Sequence, residues 1–106
     1  MNNSDIEYKV LKTLEKNPHM TQREVSKELG VSLGKTNYVI RALVNKGWIK
    51  LTNFKRSNNK LAYLYILTPD GINNKSKLTQ LFLTRKVEEY NKLKEEIKIL
   101  QDENEI

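Results

Sequence analysis

A mainly α-helical fold with one small β-hairpin and a long closing helix is predicted for this 106-residue chain. Three observations predict it. Apolar residues recur at helical spacing through residues 6–14 and 25–43. Two short strand-like runs, 48–52 and 61–67, flank a polar, basic loop. From Thr68 onward a Lys/Glu-rich stretch reaches almost to the end with nothing to break a helix.

The first helix can be capped by Ser4 or Asp5, with Ile6, Val10, Leu11 and Leu14 on one stripe. It should stop before Pro18, because the residue ahead of a proline is pushed out of the α region. Thr21-Gln22-Arg23-Glu24 reads as a capping box, in which hydroxyl and carboxylate satisfy each other's backbone amides at a helix start. The second helix is short, with Val25 and Leu29 facing inward and Gly30 ending it. Val31 occupies the turn, and Ser32 caps a third helix running to about Asn45. Two short capped helices joined by a tight Gly-containing turn form a helix-turn-helix signature.

At 100° per residue the third helix divides into two faces. Thr36, Val39, Ile40 and Leu43 fall on one side; Gly34, Tyr38, Arg41 and Asn45 fall on the other, flanked by Lys35 and Asn37. The outer face thus carries amides, a phenol and cations but no acid. An ordinary solvated face mixes both signs of charge.

After Gly47, residues 48–52 alternate like a strand, and Leu61–Leu67 reads as a second, more buried one. The loop between them, 53–60, holds Lys55, Arg56, Asn58, Asn59 and Lys60 and has the character of a wing. Trp48 and Tyr63 are expected to pack between hairpin and helices rather than to stack on bases. Thr68 caps the last helix, with Pro69 at its first position, where the missing N–H costs nothing. Asn73-Asn74 weakens its first turns, yet helix to about Glu103 would extend roughly 50 Å. Tyr90, Leu93, Ile97 and Leu100 repeat at 3-4-3 spacing, extendable to Leu83 and Asn104. The alternative is that this stripe folds back on its own domain. The fold expected is therefore a winged helix-turn-helix domain over residues 4–68 and a dimerisation helix over 69–106.

Net charge is +6, and its placement says more than its total. Residues 1–67 hold 12 Lys/Arg against 5 Asp/Glu, whereas 68–106 hold 7 against 8. No acid occurs between Glu28 and Asp70, while Lys35, Arg41, Lys46, Lys50, Lys55, Arg56 and Lys60 do. A basic block still rich in apolar residues is a folded surface of one sign, the footprint a polyanion demands.

Other classes are disfavoured by what is missing. There is no Cys and only one His, His19, so neither a thiolate metal site nor a nucleophile–base set can be assembled. No Gly-rich phosphate loop is present. Neither an enzyme, a metal nor a cofactor is expected. The start, residues 1–6, lacks the basic and apolar regions of a signal peptide, and the longest apolar run, Leu61–Leu67, is too short to span a membrane. A cytoplasmic location without membrane partners is expected.

Several stretches resemble the MarR family of winged-helix regulators, most closely its short subgroup associated with exopolysaccharide loci. They are Thr21–Tyr38, Asn45–Lys50, Asn53–Lys60 and Leu67–Ile72, with Ser32-Leu33-Gly34-Lys35-Thr36-Asn37-Tyr38 the most specific. The resemblance implies a bacterial, dimeric transcription factor binding double-stranded DNA and acting on exopolysaccharide genes. Longer members carry N-terminal helices that share in an effector pocket; the first helix here follows only three or four residues, so no small-molecule effector is expected. On this reading the helix at about 32–45 enters the major groove and the wing, 53–60, holds the backbone. The DNA-binding residues expected are Thr21, Gln22, Ser32, Gly34, Lys35, Asn37, Tyr38, Arg41, Lys55, Arg56, Asn58, Asn59 and Lys60. The dimer interface is assigned to Leu83, Tyr90, Leu93, Ile97 and Leu100. A winged helix used only for protein–protein contact is the competing possibility, but such a domain has no reason to clear acids from residues 29–69.

Overall fold

The chain lays down three helices, Asn3–Lys16 (α1), Gln22–Leu29 (α2) and Leu33–Asn45 (α3). A hairpin, Ile49–Lys55 (β1) and Leu61–Leu67 (β2), and a long helix, Pro69–Asn104 (α4), follow. The computed structural model describes residues 2–55 and 61–105, with side chains 54–62 outside that description. The fold is a winged helix-turn-helix with a long C-terminal helix.

The local signals explain the element ends. Asn2 Oδ1 accepts from the Asp5 amide at 3.0 Å and caps α1, two residues earlier than the sequence suggests. The capping box on α2 is complete: Thr21 Oγ1 accepts from Glu24 N, and Glu24 Oε1 accepts from Thr21 N. Gly30 ends α2 at φ +67°, a left-handed conformation that costs glycine nothing. Ser32 Oγ accepts from Lys35 N at 3.0 Å and starts α3.

One core holds these pieces together. Ile6, Val10, Leu11 and Leu14 of α1 meet Val25 of α2, Val39, Ile40 and Leu43 of α3, and Ile49 and Tyr65 of the hairpin. Each such side chain contributes on the order of 1.5–3 kcal/mol relative to exposure. Thr36 is also fully buried, its hydroxyl satisfied by Ser32 O. The strands pair antiparallel, from Ile49 opposite Leu67 to Lys55 opposite Leu61. An additional bond, Tyr65 N to Pro18 O at 3.1 Å, ties the outer edge of β2 to the α1–α2 turn.

The joint between hairpin and α4 is tight. Thr68 N donates to Trp48 O at 3.0 Å, and Thr68 Oγ1 both donates to Gly47 O and accepts from Gly71 N. Gly71 is buried directly against the Trp48 backbone, where a Cβ would overlap the carbonyl. Further along, Leu78 packs on the core, Phe82 stacks on Tyr8 at 4.8 Å, and Arg85 pairs with Asp5 at 2.8 Å. From Lys86 to its end at Asn104 every residue of α4 is exposed, as is the capping Glu105. The helix is about 54 Å long at 1.5 Å per residue, and the molecule measures 70 × 27 × 21 Å.

Three sequence expectations are revised, and one alternative is set aside. β1 extends to Lys55 rather than stopping at Thr52, so residues 53–55 belong to the strand and not to the loop. Tyr63 stands 58% exposed instead of packed: it shares a strand face with Tyr65 but lies two residues nearer the hairpin tip, opposite the exposed Asn53, farther from the core. Asn73-Asn74 does not disturb α4, since Asn74 Nδ2 donates to Asp70 O within the helix. The stripe does not fold back on its own domain: α4 docks on α1 through Phe82 and Arg85, residues outside the stripe, while Leu83, Tyr90, Leu93, Ile97 and Leu100 stay exposed.

Candidate nucleic-acid interface

The core-facing row of α3 fixes its opposite face outward. Tyr38 is 64% exposed, Gly34 and Arg41 are exposed, and Asn37 is half-buried. Asn37, Tyr38, Arg41, Ala42 and Asn45 line a shallow groove of about 390 Å³ along the helix. A second groove of about 190 Å³ runs between α3 and the hairpin, joining Gln22, Arg41 and Asn45 to Leu51 and Tyr65. Space is open around Gly34, with nothing within 4 Å of where a Cβ would stand. The backbone at the start of α3 is thus accessible to a large partner.

Hydrogen bonds brace this face. Gln22 Nε2 donates to the Tyr65 hydroxyl at 3.2 Å, and Asn37 Nδ2 donates to Gln22 Oε1 at 3.0 Å. α2, α3 and β2 are therefore linked through three side chains. Asn37 still offers its carbonyl and a second N–H outward. The Lys35 ammonium donates to Asn3 Oδ1 and lies 5.5 Å from the Tyr38 ring centroid, which holds both side chains near the first turn of α3.

The charge pattern sharpens in three dimensions. Asp5 pairs with Arg85 and Glu15 with Lys75, so cations of α4 neutralise acids of α1. Glu7 takes Lys46 at 3.1 Å, and that ammonium also sits 4.6 Å over the Trp48 ring. Lys46 is thereby withdrawn from the basic block. Among the described residues, no acid faces the groove lined by Asn37, Tyr38 and Arg41. This favours an anion and supplies a donor fork, the Arg41 guanidinium, at its centre.

Residues 3–50 match the family model described as winged helix-turn-helix DNA-binding. Solved structures agree on the fold. The multiple antibiotic resistance repressor MarR is 29% identical, with a TM-score of 0.63 over 81% of this chain and 61% of that one. FabT of Streptococcus pneumoniae, solved in complex with DNA, is 27% identical with a TM-score of 0.55, covering 78% of this chain and 56% of that one. The adhesin competence repressor of Streptococcus pyogenes, at 21% identity, TM-score 0.60 and coverage of 84% and 63%, shares the fold. The chain thus spans about three fifths of the length of the structures it matches. No curated protein matches it.

The structure brings most of the expected residues together. Gln22, Asn37, Tyr38 and Arg41 share the two adjoining grooves, with Thr21 next to Gln22. Ser32, Gly34 and Lys35 form the first turn of α3, although the Ser32 and Thr21 hydroxyls are already engaged as caps. Arg56, Asn58, Asn59 and Lys60, and the side chain of Lys55, lie outside the described residues. Sequence reasoning missed Tyr65 and Leu51. Tyr65 carried one usable signal, a phenol inside a buried strand, whose hydroxyl must find a partner.

Proposed function

We propose that the protein is a sequence-specific, double-stranded DNA-binding transcriptional regulator that works in the cytoplasm as a homodimer. α3 enters the major groove, and Arg41 and Asn37 read base edges. Guanine O6/N7 suits the guanidinium and adenine N6/N7 suits the amide, each bidentate pair discriminating by about 1–3 kcal/mol. Tyr38 and Lys35 supply neighbouring contacts, and the wing cations hold the flanking backbone. The carrying observation is the acid-free outer face of α3, exposed at Tyr38 and Arg41 and braced at Asn37 by Gln22 and Tyr65. The match of residues 3–50 and the likeness to FabT, solved with DNA, support the same reading. The sequence resemblance supports exopolysaccharide genes as targets.

Selection from random duplexes tests this reading. An inverted repeat should be recovered, with half-site centres about one helical turn apart. Recovery of no enriched motif would leave the fold as a protein-interaction module instead.

A further inference from the structure

α4 presents two faces. Gly71, Leu78, Phe82 and Arg85 turn toward the winged domain. The stripe Tyr90, Leu93, Ile97 and Leu100 lies about 70° around the helix, counting 100° per residue. Those four side chains are 62%, 56%, 46% and 62% exposed. Helices in proteins are stabilised mainly by packing an apolar face rather than by propensity, and this half of α4 leaves its apolar face unpacked, so it calls for a partner.

The residues beside the stripe specify which partner, and in which direction. With Leu83, Tyr90, Ile97 and Asn104 at heptad position a, the d positions are Lys86, Leu93 and Leu100, so the apolar seam begins at Tyr90, and the g positions are Glu89, Glu96 and Glu103. The e positions are Val87, Lys94 and Gln101. An antiparallel pair sets g against g and e against e, so glutamate would face glutamate and Lys94 would meet the partner's Lys94. A parallel pair sets g against the following e, so Glu89 meets the partner's Lys94 and Glu96 meets the partner's Gln101. Within a parallel arrangement, Ile97 at a with Leu100 at d suits two strands rather than three or four, and Asn104 at an a position favours one register.

We propose that a second copy of this chain packs on the Tyr90–Leu100 stripe as a parallel, in-register, two-stranded coiled coil. The proposal rests on the homodimer reading above and adds its direction. Both winged domains then sit at the same end of the coil, about a two-fold axis running along it. Both α3 helices are presented to one duplex, as an inverted repeat demands. An antiparallel coil would send the two domains to opposite ends of a long rod.

The chain has no cysteine, so Leu100→Cys introduces a single thiol. In the parallel dimer the two sulfurs face each other, and mild oxidation should convert nearly all of the protein to a cross-linked dimer. In an antiparallel dimer they lie about 20 Å apart along the coil. A species of dimer mass by light scattering that fails to cross-link overturns the parallel arrangement but keeps the homodimer. A monomer at tens of micromolar overturns both, and a duplex titration of the same sample tests DNA binding separately. Charge reversal gives a second reading. Glu89→Lys should weaken dimerisation about tenfold by turning two attractive pairs repulsive, and adding Lys94→Glu should restore it. Absence of that rescue also contradicts the parallel pairing.

Discussion

The Tyr65 hydroxyl accepts from Gln22 Nε2 at 3.2 Å, fixing the strand behind the wing to the start of α2. Gln22 Oε1 in turn accepts from Asn37 on α3 at 3.0 Å. The angle between helix and hairpin is thus tied to the position of a side chain proposed to read DNA. Tyr65→Phe keeps the ring in the core and deletes the acceptor. The fold should lose only about 1 kcal/mol. Binding to the selected site should fall several-fold while binding to random duplex barely changes. An unchanged ratio of the two in competition titrations would leave these three residues without a part in recognition.

Arg41 is exposed at the meeting point of both grooves and has no acid beside it there. Arg41→Ala should reduce the preference for the selected site by about 1–3 kcal/mol, with the loss concentrated at one base pair. Titrating a panel of single-base variants of the site checks this. A uniform loss at every position would assign Arg41 to the phosphate backbone.

The fold was legible in the sequence because its signals are local. The capping box at Thr21, the stop before Pro18, Gly30 between two helices and Thr68-Pro69 at the start of α4 each act within four residues. The outer face of α3 was legible for the same reason, since helical geometry alone places Tyr38 and Arg41 opposite Val39 and Leu43. What escaped depends on distant residues. The bond from Gln22 to Tyr65 spans 43 positions, and the pairing of Glu7 with Lys46 spans 39. Glu7 removes from the basic block a lysine that the linear charge count included. The docking of α4 on α1 escaped likewise, because Phe82 and Tyr8 read as unrelated aromatics until the chain brings them to 4.8 Å.

Gly71 sets the angle at which α4 leaves the hairpin. Gly71→Ala drives a methyl into the Trp48 carbonyl, a backbone atom that cannot yield without moving β1 or α4. Overpacking of this kind costs about 1–3 kcal/mol. The Tm followed by circular dichroism should fall by roughly 4–8 °C for each kcal/mol lost. Gly34→Ala, helical and with open space around it, should hold or raise the Tm, since Ala favours helix over Gly by about 0.5–1 kcal/mol, and serves as the matched comparison. Equal effects at the two glycines would contradict this account of the joint.

Ile97 lies at the centre of the exposed stripe on α4. Ile97→Glu places a charge in the proposed seam without touching the winged domain. A folded monomer is expected by light scattering, with binding to an inverted repeat weakened far more than binding to a single half-site. A dimer of wild-type strength would move the interface away from this stripe.

DNA binding itself is tested most directly by a fluorescence anisotropy titration of mixed-sequence duplex across a range of salt concentrations. With roughly eight phosphates engaged per dimer, the log–log slope should be near −7, a loss of about 10⁴-fold in affinity between 50 and 200 mM salt. Absence of binding at 50 mM salt, or binding indifferent to salt, would contradict the assignment of the α3 face to nucleic acid.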